Sequence, residues 1–256
     1  GVIAEVEGRA ESFRDKLQVN INALRVLSPE EMASVDTSAF MASSSRPPQE
    51  MLDELEAICR KEFTHKPWRK FILSVLEDEA IRVPLLTAPA AKSVHHAFLG
   101  GLLMHTANMV KIADFLAGMY PETIDRSLLL TGTLLHDMAK AQEFVFSQLG
   151  LATDYSIKGQ LLGHLVMGAQ DAAETAARLG VPEEKSVLLQ HLILSHHGEP
   201  EFGAAVRPLC AEAELLSLID AVDSRMEIYR ETYDTMEPDT FSPRIFALEK
   251  KVFRHA

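Results

Sequence analysis

Histidines and aspartates recur inside apolar segments of this chain, and this pattern constrains its fold more than any other feature. The doublet His136-Asp137 ends the apolar run LLLTGTLL. The other members lie in GGLLMHT, LLGHLVMG, LILSHHGE and LLSLIDAVDSR, and they are His105, His164, His196, His197 and Asp220. Burying an imidazole or a carboxylate without a partner costs free energy. A divalent metal ion would partner all of these groups at once.

The spacing of these residues predicts a helical bundle. Apolar residues in the surrounding segments recur every three or four positions, as on the buried face of a helix. Five predicted helices each carry one member of the series, at intervals of about 24 to 32 residues, and a bundle brings such positions to one internal cleft. We therefore predict a mainly α fold, a helical bundle with a short N-terminal β segment.

The chain divides into three predicted parts. Residues 1–28 alternate apolar and polar side chains at period two, which predicts two strands. Because two strands alone are marginally stable, we interpret this part as the C-terminal strands of an incomplete β-domain. Residues 29–48 are rich in Ser and Pro and predict a linker. Residues 49–256 form the predicted α-helical domain, with a short hairpin in EFVFSQLGLATDYS and a last helix at 243–253.

Bulk composition sets further limits. No apolar run approaches the roughly 20 residues that a membrane helix needs, so we expect no membrane association. The start GVIAEVEG lacks both an initiator Met and a signal-peptide pattern, and we expect the chain to be a fragment. The two cysteines, Cys59 and Cys210, lie in unrelated contexts, which favours a reducing, cytoplasmic location over a disulfide framework.

The net charge of −12 argues against nonspecific nucleic-acid binding by the whole surface. One cluster of basic residues near Trp68 could still bind phosphates locally, although a solvated helix face would have the same composition. Its members are Arg60, Lys61, Lys66, Arg69 and Lys70. Met- and Leu-rich helix surfaces are compatible with a homo-oligomer, but core packing explains them equally.

The residue types of the series favour particular metal ions. Several imidazoles beside carboxylates suit Mn²⁺, Fe²⁺, Co²⁺, Ni²⁺ or Zn²⁺ and fit Ca²⁺ poorly, and the lack of a cysteine ligand argues against a closed structural zinc site. Asp137 has two carboxylate oxygens and can bridge two ions. For single residues a structural role stays open: His164 as a core or capping histidine, and Asp220 as a cap with Asp223 as a rival ligand.

The order of these residues, H…HD…H…H…D, resembles the HD superfamily of metal-dependent phosphohydrolases. Longer strings resemble the YhaM-type 3′→5′ exoribonucleases within it: APAAKSVHHAFLGGLLMHT, LLHDMAK, LLGHLVMG, LLLQHLILSHHGEPEFGAAVRP and EAELLSLIDAVDSRM. This resemblance covers roughly residues 40–256. Residues 1–27 resemble the last strands of the OB-fold that precedes the HD domain in that group, and OB-folds bind single-stranded nucleic acid.

The resemblance implies two metal ions, and of the candidate divalent cations we favour Mn²⁺. The implied ligands of a first ion are His105, His136, Asp137 and Asp220. The implied ligands of a second ion are His164 and His196, with Asp137 as the bridge between the ions. His197 is either a further ligand or a residue that orients one.

Further residues are candidates for contact with substrate. Lys140 follows His136 by one helical turn and could hold a phosphate, although a solvated lysine explains it equally. His95 or His96 could contact the substrate or protonate the leaving group, or could cap the next helix. Arg225 is a phosphate candidate whose default role is a surface salt bridge. The catalytic candidates are Asp137, Lys140 and His96, and the substrate-binding candidates are His95, Lys140 and Arg225.

These observations favour a metal-dependent phosphodiesterase. The preferred hypothesis is a 3′→5′ exoribonuclease that hydrolyses single-stranded RNA by a metal-activated water, with single-stranded DNA left open. The first alternative is an HD phosphohydrolase that acts on a small nucleotide, such as a nucleoside monophosphate, a dNTP or a cyclic nucleotide. The second alternative is a catalytically silent nucleic-acid-binding module, which would need ligands that no longer bind metal.

Overall fold

Helices dominate the structure, which confirms the predicted mainly α fold with a short N-terminal β segment. The computed structural model describes residues 2–13, 16–32, 34–35, 40, 43–63, 65–91, 96–147 and 149–256. Its helices are α1 (Pro29–Met32), α2 (Pro48–Glu62), α3 (Lys66–Glu77), α4 (Glu79–Thr87), α5 (Gly101–Met119), α6 (Arg126–Leu135), α7 (Lys140–Glu143), α8 (Ile157–Leu179), α9 (Glu183–Ser195) and α10 (Ala211–Asp234). Among the described residues, no helix has the length and apolar character needed to cross a lipid bilayer.

The described strands pair in separate antiparallel hairpins. They are β1 (Ala4–Phe13) with β2 (Lys16–Val26), β3 (Phe144–Phe146) with β4 (Ala152–Tyr155), and β5 (Thr240–Phe241) with β6 (Phe253–Arg254). The first two pairs confirm the strands predicted from period-two alternation and the hairpin predicted from EFVFSQLGLATDYS. Their side chains alternate between the two faces of each ribbon, as strand geometry requires.

The β1–β2 hairpin is largely exposed, and its base connects it to the helices. Ile3 and Leu149 form a small buried cluster, against which Leu27 and Leu99 pack. The interpretation of this hairpin as part of an OB-like domain stays a prediction, as do the domain boundaries. The predicted linker, residues 29–48, contains the short helix α1, while several of its positions lie outside the described part of the chain.

The core is built mainly on α5 and α6, which explains why the polar series lies in almost wholly apolar sequence. Every residue of α6 from Ser127 to Leu135 is buried, and α5 fully buries Leu102, Leu103 and Met109. Helix α10 packs across both, α8 lies along α9, and α9 packs against α6. These five helices surround one interior, as the bundle prediction requires.

The predicted helix at 243–253 is wrong. This segment is a hairpin in which β5 and β6 pair, and a single 3-10 turn at Phe246–Leu248 lies at its tip. Glu249 ends the turn with a φ of 55°. Val252 is buried and exchanges hydrogen bonds with Ser242. Pairing across the segment thus satisfies backbone groups that a helix would satisfy internally.

A close approach between α6 and α9 requires glycine at one position. A Cβ atom at Gly132 would lie 2.4 Å from Leu192 Cδ2 and 3.3 Å from Leu192 Cβ. Leu192 is fully buried in a close-packed interior, so it cannot move aside without disturbing its neighbours. Because α6 and α9 end just before His136 and His196, this contact also fixes the separation of those two histidines.

We predict that Gly132→Ala lowers the free energy of unfolding by about 1–2 kcal/mol, because overpacking in the core outweighs the gain in helix propensity. Urea denaturation followed by circular dichroism measures the change. Gly118→Ala is the matched control, since a Cβ at that position of α5 would have no described atom within 4 Å apart from its chain neighbours and the backbone of its own helix. The control should raise the free energy of unfolding by up to about 1 kcal/mol. Equal effects at the two positions would contradict the close contact.

Candidate metal centre

The predicted ligands meet at one place inside the bundle. They are His105 of α5, His136 and Asp137 at the end of α6, His164 of α8, His196 and His197 at the end of α9, and Asp220 of α10. Their ligand atoms form overlapping groups within 4.8 Å. We define the first cluster as His105, His136 and Asp220, and the second cluster as His164, His196 and His197.

Asp137 lies between the two clusters with one oxygen directed at each. Its Oδ2 is 3.3 Å from His136 Nε2 and 3.8 Å from His105 Nε2. Its Oδ1 is 3.4 Å from His164 Nε2 and 3.5 Å from His196 Nε2. A carboxylate in this position can share its oxygens between two cations, which is the arrangement that a bridging role requires.

Two histidines are oriented by the helices that they end. His136 Nδ1 lies 2.8 Å from the Thr133 carbonyl oxygen, and His196 Nδ1 lies 2.8 Å from the Ile193 carbonyl oxygen. A carbonyl oxygen only accepts hydrogen bonds, so both Nδ1 atoms must donate. In the neutral form of each ring, Nε2 then carries the lone pair and faces the interior, which is the tautomer that a metal ligand needs.

A kink in α8 sets the position of His164. Gly163 has φ 70° and ψ 161°, a conformation that residues with side chains rarely adopt. At this break the backbone N–H of His164 donates to Glu143 Oε1 at 3.0 Å, and the ring Nδ1 lies 3.1 Å from the same oxygen. Nothing in the sequence pattern indicates Glu143, because its partner is 21 residues away. Its carboxylate orients the ring so that Nε2 points toward Asp137.

Asp220 and Asp223 contact opposite sides of the His105 ring. Asp220 Oδ1 lies 3.4 Å from His105 Nε2, on the side where His136 Nε2 is 3.3 Å away. Asp223 Oδ2 lies 2.7 Å from His105 Nδ1 and 2.8 Å from His96 Nε2. Asp220 therefore lies with the ligand atoms of the first cluster, whereas Asp223 orients His105 through Nδ1, the nitrogen that faces away from that cluster.

The carboxylates dominate the electrostatics of the first cluster. Burial alone would lower the pKa of His105, but hydrogen bonds to Asp220 and Asp223 raise that pKa to about 9. Burial opposes ionisation of Asp137, yet the nearby charge of Lys140 holds the pKa of this carboxyl well below its usual value. The pKa of Asp220 is also lowered despite burial, mainly by its hydrogen bond with His105. These carboxylates are ionised at neutral pH, as cation ligands must be.

The second cluster brings together buried atoms that lack protein partners. Among the described residues, Asp137 Oδ1, His164 Nε2, His196 Nε2 and His197 Nδ1 are buried and form no hydrogen bond. Burial lowers the pKa of His197 to about 3 and lowers that of His196 as well, so both rings are neutral. Buried polar atoms without partners are rare. The Nε2 atoms of His164 and His196 meet at Asp137 Oδ1, and imidazole nitrogens beside a carboxylate oxygen fit a divalent cation of the first transition row.

Two of the substrate candidates are already engaged within the protein. Lys140 Nζ donates to Asp137 Oδ2 at 2.7 Å, so this ammonium holds the shared carboxylate. His96 is fully buried beside His105, with Nε2 on Asp223, and its backbone has a φ of 54°. His95 lies outside the described residues.

A cleft of about 520 Å³ opens beside the second cluster. His196, His197 and Asp220 form part of its wall, and Arg225 also lines it. The Arg225 side chain is exposed and forms no ion pair with any residue in the described part of the chain. A cationic group that borders the cleft in this way can contact an anion bound there.

The predicted basic cluster lies on a different surface. Lys66, Arg69 and Lys70 of α3 line a separate groove. Trp68 is buried in the core, so its indole cannot stack on a nucleobase. The side chain of Lys61 lies outside the described part of the chain.

The chain matches known proteins over nearly its whole length. Residues 102–225 match the HD domain family. The 3′-5′ exoribonuclease YhaM of Shouchella clausii (strain KSM-K16) is 34% identical over 251 residues, which span 98% of this chain and 76% of that protein. The YhaM exoribonuclease of Oceanobacillus iheyensis is 35% identical over 254 residues, or 98% of this chain and 76% of the relative. The YhaM exoribonuclease of Bacillus subtilis (strain 168) is 32% identical over 253 residues, which span 98% of this chain and 77% of that protein. No solved structure gives a significant match.

These matches confirm the resemblance found in the sequence. An HD domain implies the binding of divalent metal ions, and the two clusters contain groups of His and Asp that could hold them. The similarity exceeds 30% identity and extends over about three quarters of each relative. The chain therefore belongs to the YhaM family of 3′-5′ exoribonucleases.

Proposed function

We propose that this protein is a metal-dependent 3′-5′ exoribonuclease that removes nucleotides from the 3′ end of single-stranded RNA. Family membership supports the activity, because the relatives that match nearly the whole chain are named for it. One geometric observation carries the proposal: the Asp137 carboxylate directs one oxygen at each of two histidine clusters. A carboxylate placed between two such groups of ligand atoms suits phosphodiester hydrolysis by two cations.

We further propose two resident divalent ions, with Mn²⁺ in preference to Fe²⁺, Co²⁺, Ni²⁺ or Zn²⁺. The proposed ligands are His105, His136, Asp137 and Asp220 for the first ion, and Asp137, His164, His196 and His197 for the second. A ring nitrogen of His197 lies within 4.8 Å of ligand atoms of His164 and His196, which favours it as a ligand over a purely orienting role. When bound, two such ions polarise the phosphoryl oxygens and lower the pKa of the attacking water.

Neighbouring residues fix the charge and orientation of these ligands. Lys140 holds Asp137 Oδ2 through its 2.7 Å hydrogen bond and offsets part of the carboxylate charge. Asp223 holds His105 through Nδ1, so that Nε2 faces the first cluster. His96 contacts the same Asp223 oxygen and is fully buried. We therefore assign His96 a positioning role in place of proton transfer to the leaving group.

The position of the cleft favours an RNA end over a small nucleotide. One part of its wall is formed by the second cluster, and another part is formed by the exposed residues Phe202 and Arg225. A strand whose last phosphodiester lies at the clusters can therefore continue past Arg225 toward solvent. Arg225 is the residue that we propose to contact a substrate phosphate.

Stepwise hydrolysis of RNA is the first test. With 5′-labelled single-stranded RNA and Mn²⁺, the wild-type protein should shorten the strand from its 3′ end and release nucleoside monophosphates. Asp137→Asn should lower the rate at least about 10²–10³-fold, because it removes the charge that both clusters share. Denaturing gels measure the rate, and circular dichroism checks that the variant is folded.

Asp171→Asn is the matched control for this experiment. Asp171 of α8 is half-buried and accepts a hydrogen bond from Gln142 at 3.2 Å, and it belongs to neither cluster. Its removal should leave the rate within about threefold, as expected for a side chain without electrostatic contact with the reacting groups. A wild-type protein that does not shorten the strand stepwise from its 3′ end would refute the proposed function, and a fully active Asp137→Asn variant would refute the role of this carboxylate.

A second prediction separates Asp220 from Asp223. Asp223→Asn should raise the Mn²⁺ concentration for half-maximal activity by about 10–100-fold, because the partner that orients His105 loses its charge. The rate at saturating Mn²⁺ should stay close to that of the wild type. Asp220→Asn should instead lower the saturating rate, because it removes a proposed ligand. Titrations with Mn²⁺, followed by activity and by bound metal, measure both effects. The opposite pattern would show that Asp223 is the ligand and that Asp220 orients His105.

A further inference from the structure

An exposed phenylalanine lines the cleft beside the second cluster. Phe202 is 73% exposed, and it belongs to the same wall as His197 and Arg225. A ring in this position contributes little to the core. Exposed apolar groups rimmed by polar residues often mark a binding site. Phe202 is therefore a candidate for contact with whatever occupies the cleft.

The backbone that carries Phe202 is closely held. It forms a 3-10 turn at Pro200–Phe202 that ends at Gly203 with a φ of 99°. A Cβ atom at Gly198 would lie 2.7 Å from Ser217 Oγ, so the start of this loop packs directly on α10. A ring presented on such a backbone loses little conformational freedom when a ligand stacks on it.

A hairpin with several basic residues reaches the same cleft. Ala247, at the tip of the β5–β6 hairpin, lines the cleft, and the adjacent Phe246 is 95% exposed. Residues 240–256 carry four Lys or Arg and one Glu, a net charge of +3 in a chain whose net charge is −12. The hairpin is anchored to α10, because Tyr233 Oη donates to the Phe253 carbonyl oxygen at 2.9 Å. Positive charge is therefore concentrated on a hairpin that reaches the cleft.

Acidic residues line the cleft as well. They are Glu199, Glu214 and Asp220. Glu199 forms an ion pair with Arg207 at 2.7 Å, so its charge is already balanced. Asp220 is a proposed metal ligand, so a bound cation would offset its charge, and Glu214 is the remaining acidic group beside Arg225. With the proposed ions bound, the cations and Arg225 would favour an anionic ligand, and the exposed ring of Phe202 would favour one that also carries flat apolar groups.

We propose that Phe202 is the stacking platform for the 3′-terminal nucleobase of a single-stranded nucleic acid, with Arg225 on an adjacent phosphate. This inference rests on the proposed function and adds to it the residue that holds the base. Aromatic rings stack on every base, so Phe202 would bind the 3′-terminal nucleotide with little dependence on its sequence. The basic β5–β6 hairpin contacts the strand at the edge of the cleft.

The test compares a leucine and a tryptophan at position 202 on two substrates. Phe202→Leu should lower kcat/KM on oligoadenylate about tenfold, because leucine keeps the apolar volume and loses the stacking face. On the same oligonucleotide with a 3′-terminal abasic ribose, the variant and the wild type should differ by less than about twofold, since no base is available to stack. Phe202→Trp should restore activity on the intact substrate.

Phe115→Leu is the matched control. Phe115 of α5 is 68% exposed and is not part of the cleft wall, so its substitution should leave kcat/KM unchanged on both substrates. An equal loss on intact and abasic substrates for Phe202→Leu would show a general structural effect and would overturn the inference. So would an unchanged Phe202→Leu variant.

A binding measurement separates this inference from the proposed function. The probe is a fluorescein-labelled oligoadenylate with a hydrolysis-resistant 3′-terminal linkage, followed by fluorescence anisotropy in Mn²⁺. Phe202→Leu should raise the Kd about tenfold. Base-dependent binding through Phe202 without hydrolysis of ordinary RNA would support the platform and refute the exonuclease. A wild-type protein that neither binds nor hydrolyses RNA would overturn both.

Discussion

The buried carboxylate of Asp137 is the group on which the rest of the site depends. It lies within 3.3–3.8 Å of imidazole nitrogens from four helices. Bringing these lone pairs together away from water is unfavourable on its own. The apolar packing of α5 and α6 supplies the stability that keeps the polar groups in place. The apolar packing thus offsets the unfavourable free energy of burying these polar groups, and their burial becomes favourable once positive charge lies between the clusters.

The helices and the positions of the polar series could be predicted because both depend on short-range pattern. Apolar spacing marked α5, α6, α8, α9 and α10, and one residue or doublet of the series fell on each. Glu143 could not be predicted, because its role arises only where the kink at Gly163 brings His164 to it. The segment 243–253 has helical spacing, but pairing between Ser242 and Val252 decides its structure. Asp220 and Asp223 are both plausible ligands in sequence. The structure distinguishes them because Asp220 contacts His105 at Nε2, whereas Asp223 contacts it at Nδ1.

An acidic protein that acts on an anionic polymer needs its positive charge in a particular place. The basic groups of α3 lie on a separate groove, whereas Arg225 and the β5–β6 hairpin border the cleft beside the second cluster. Local placement therefore matters more than the net charge of −12.

The position of His136 and His196 at helix ends has an electrostatic consequence of its own. Both residues are C-caps, so the carboxyl ends of α6 and α9 are directed at the same interior. Aligned peptide dipoles place roughly half a negative elementary charge at each such end. The floor of the cleft therefore attracts cations and repels phosphate until cations are bound. The direction of these two helices therefore favours binding of metal ions before binding of nucleic acid.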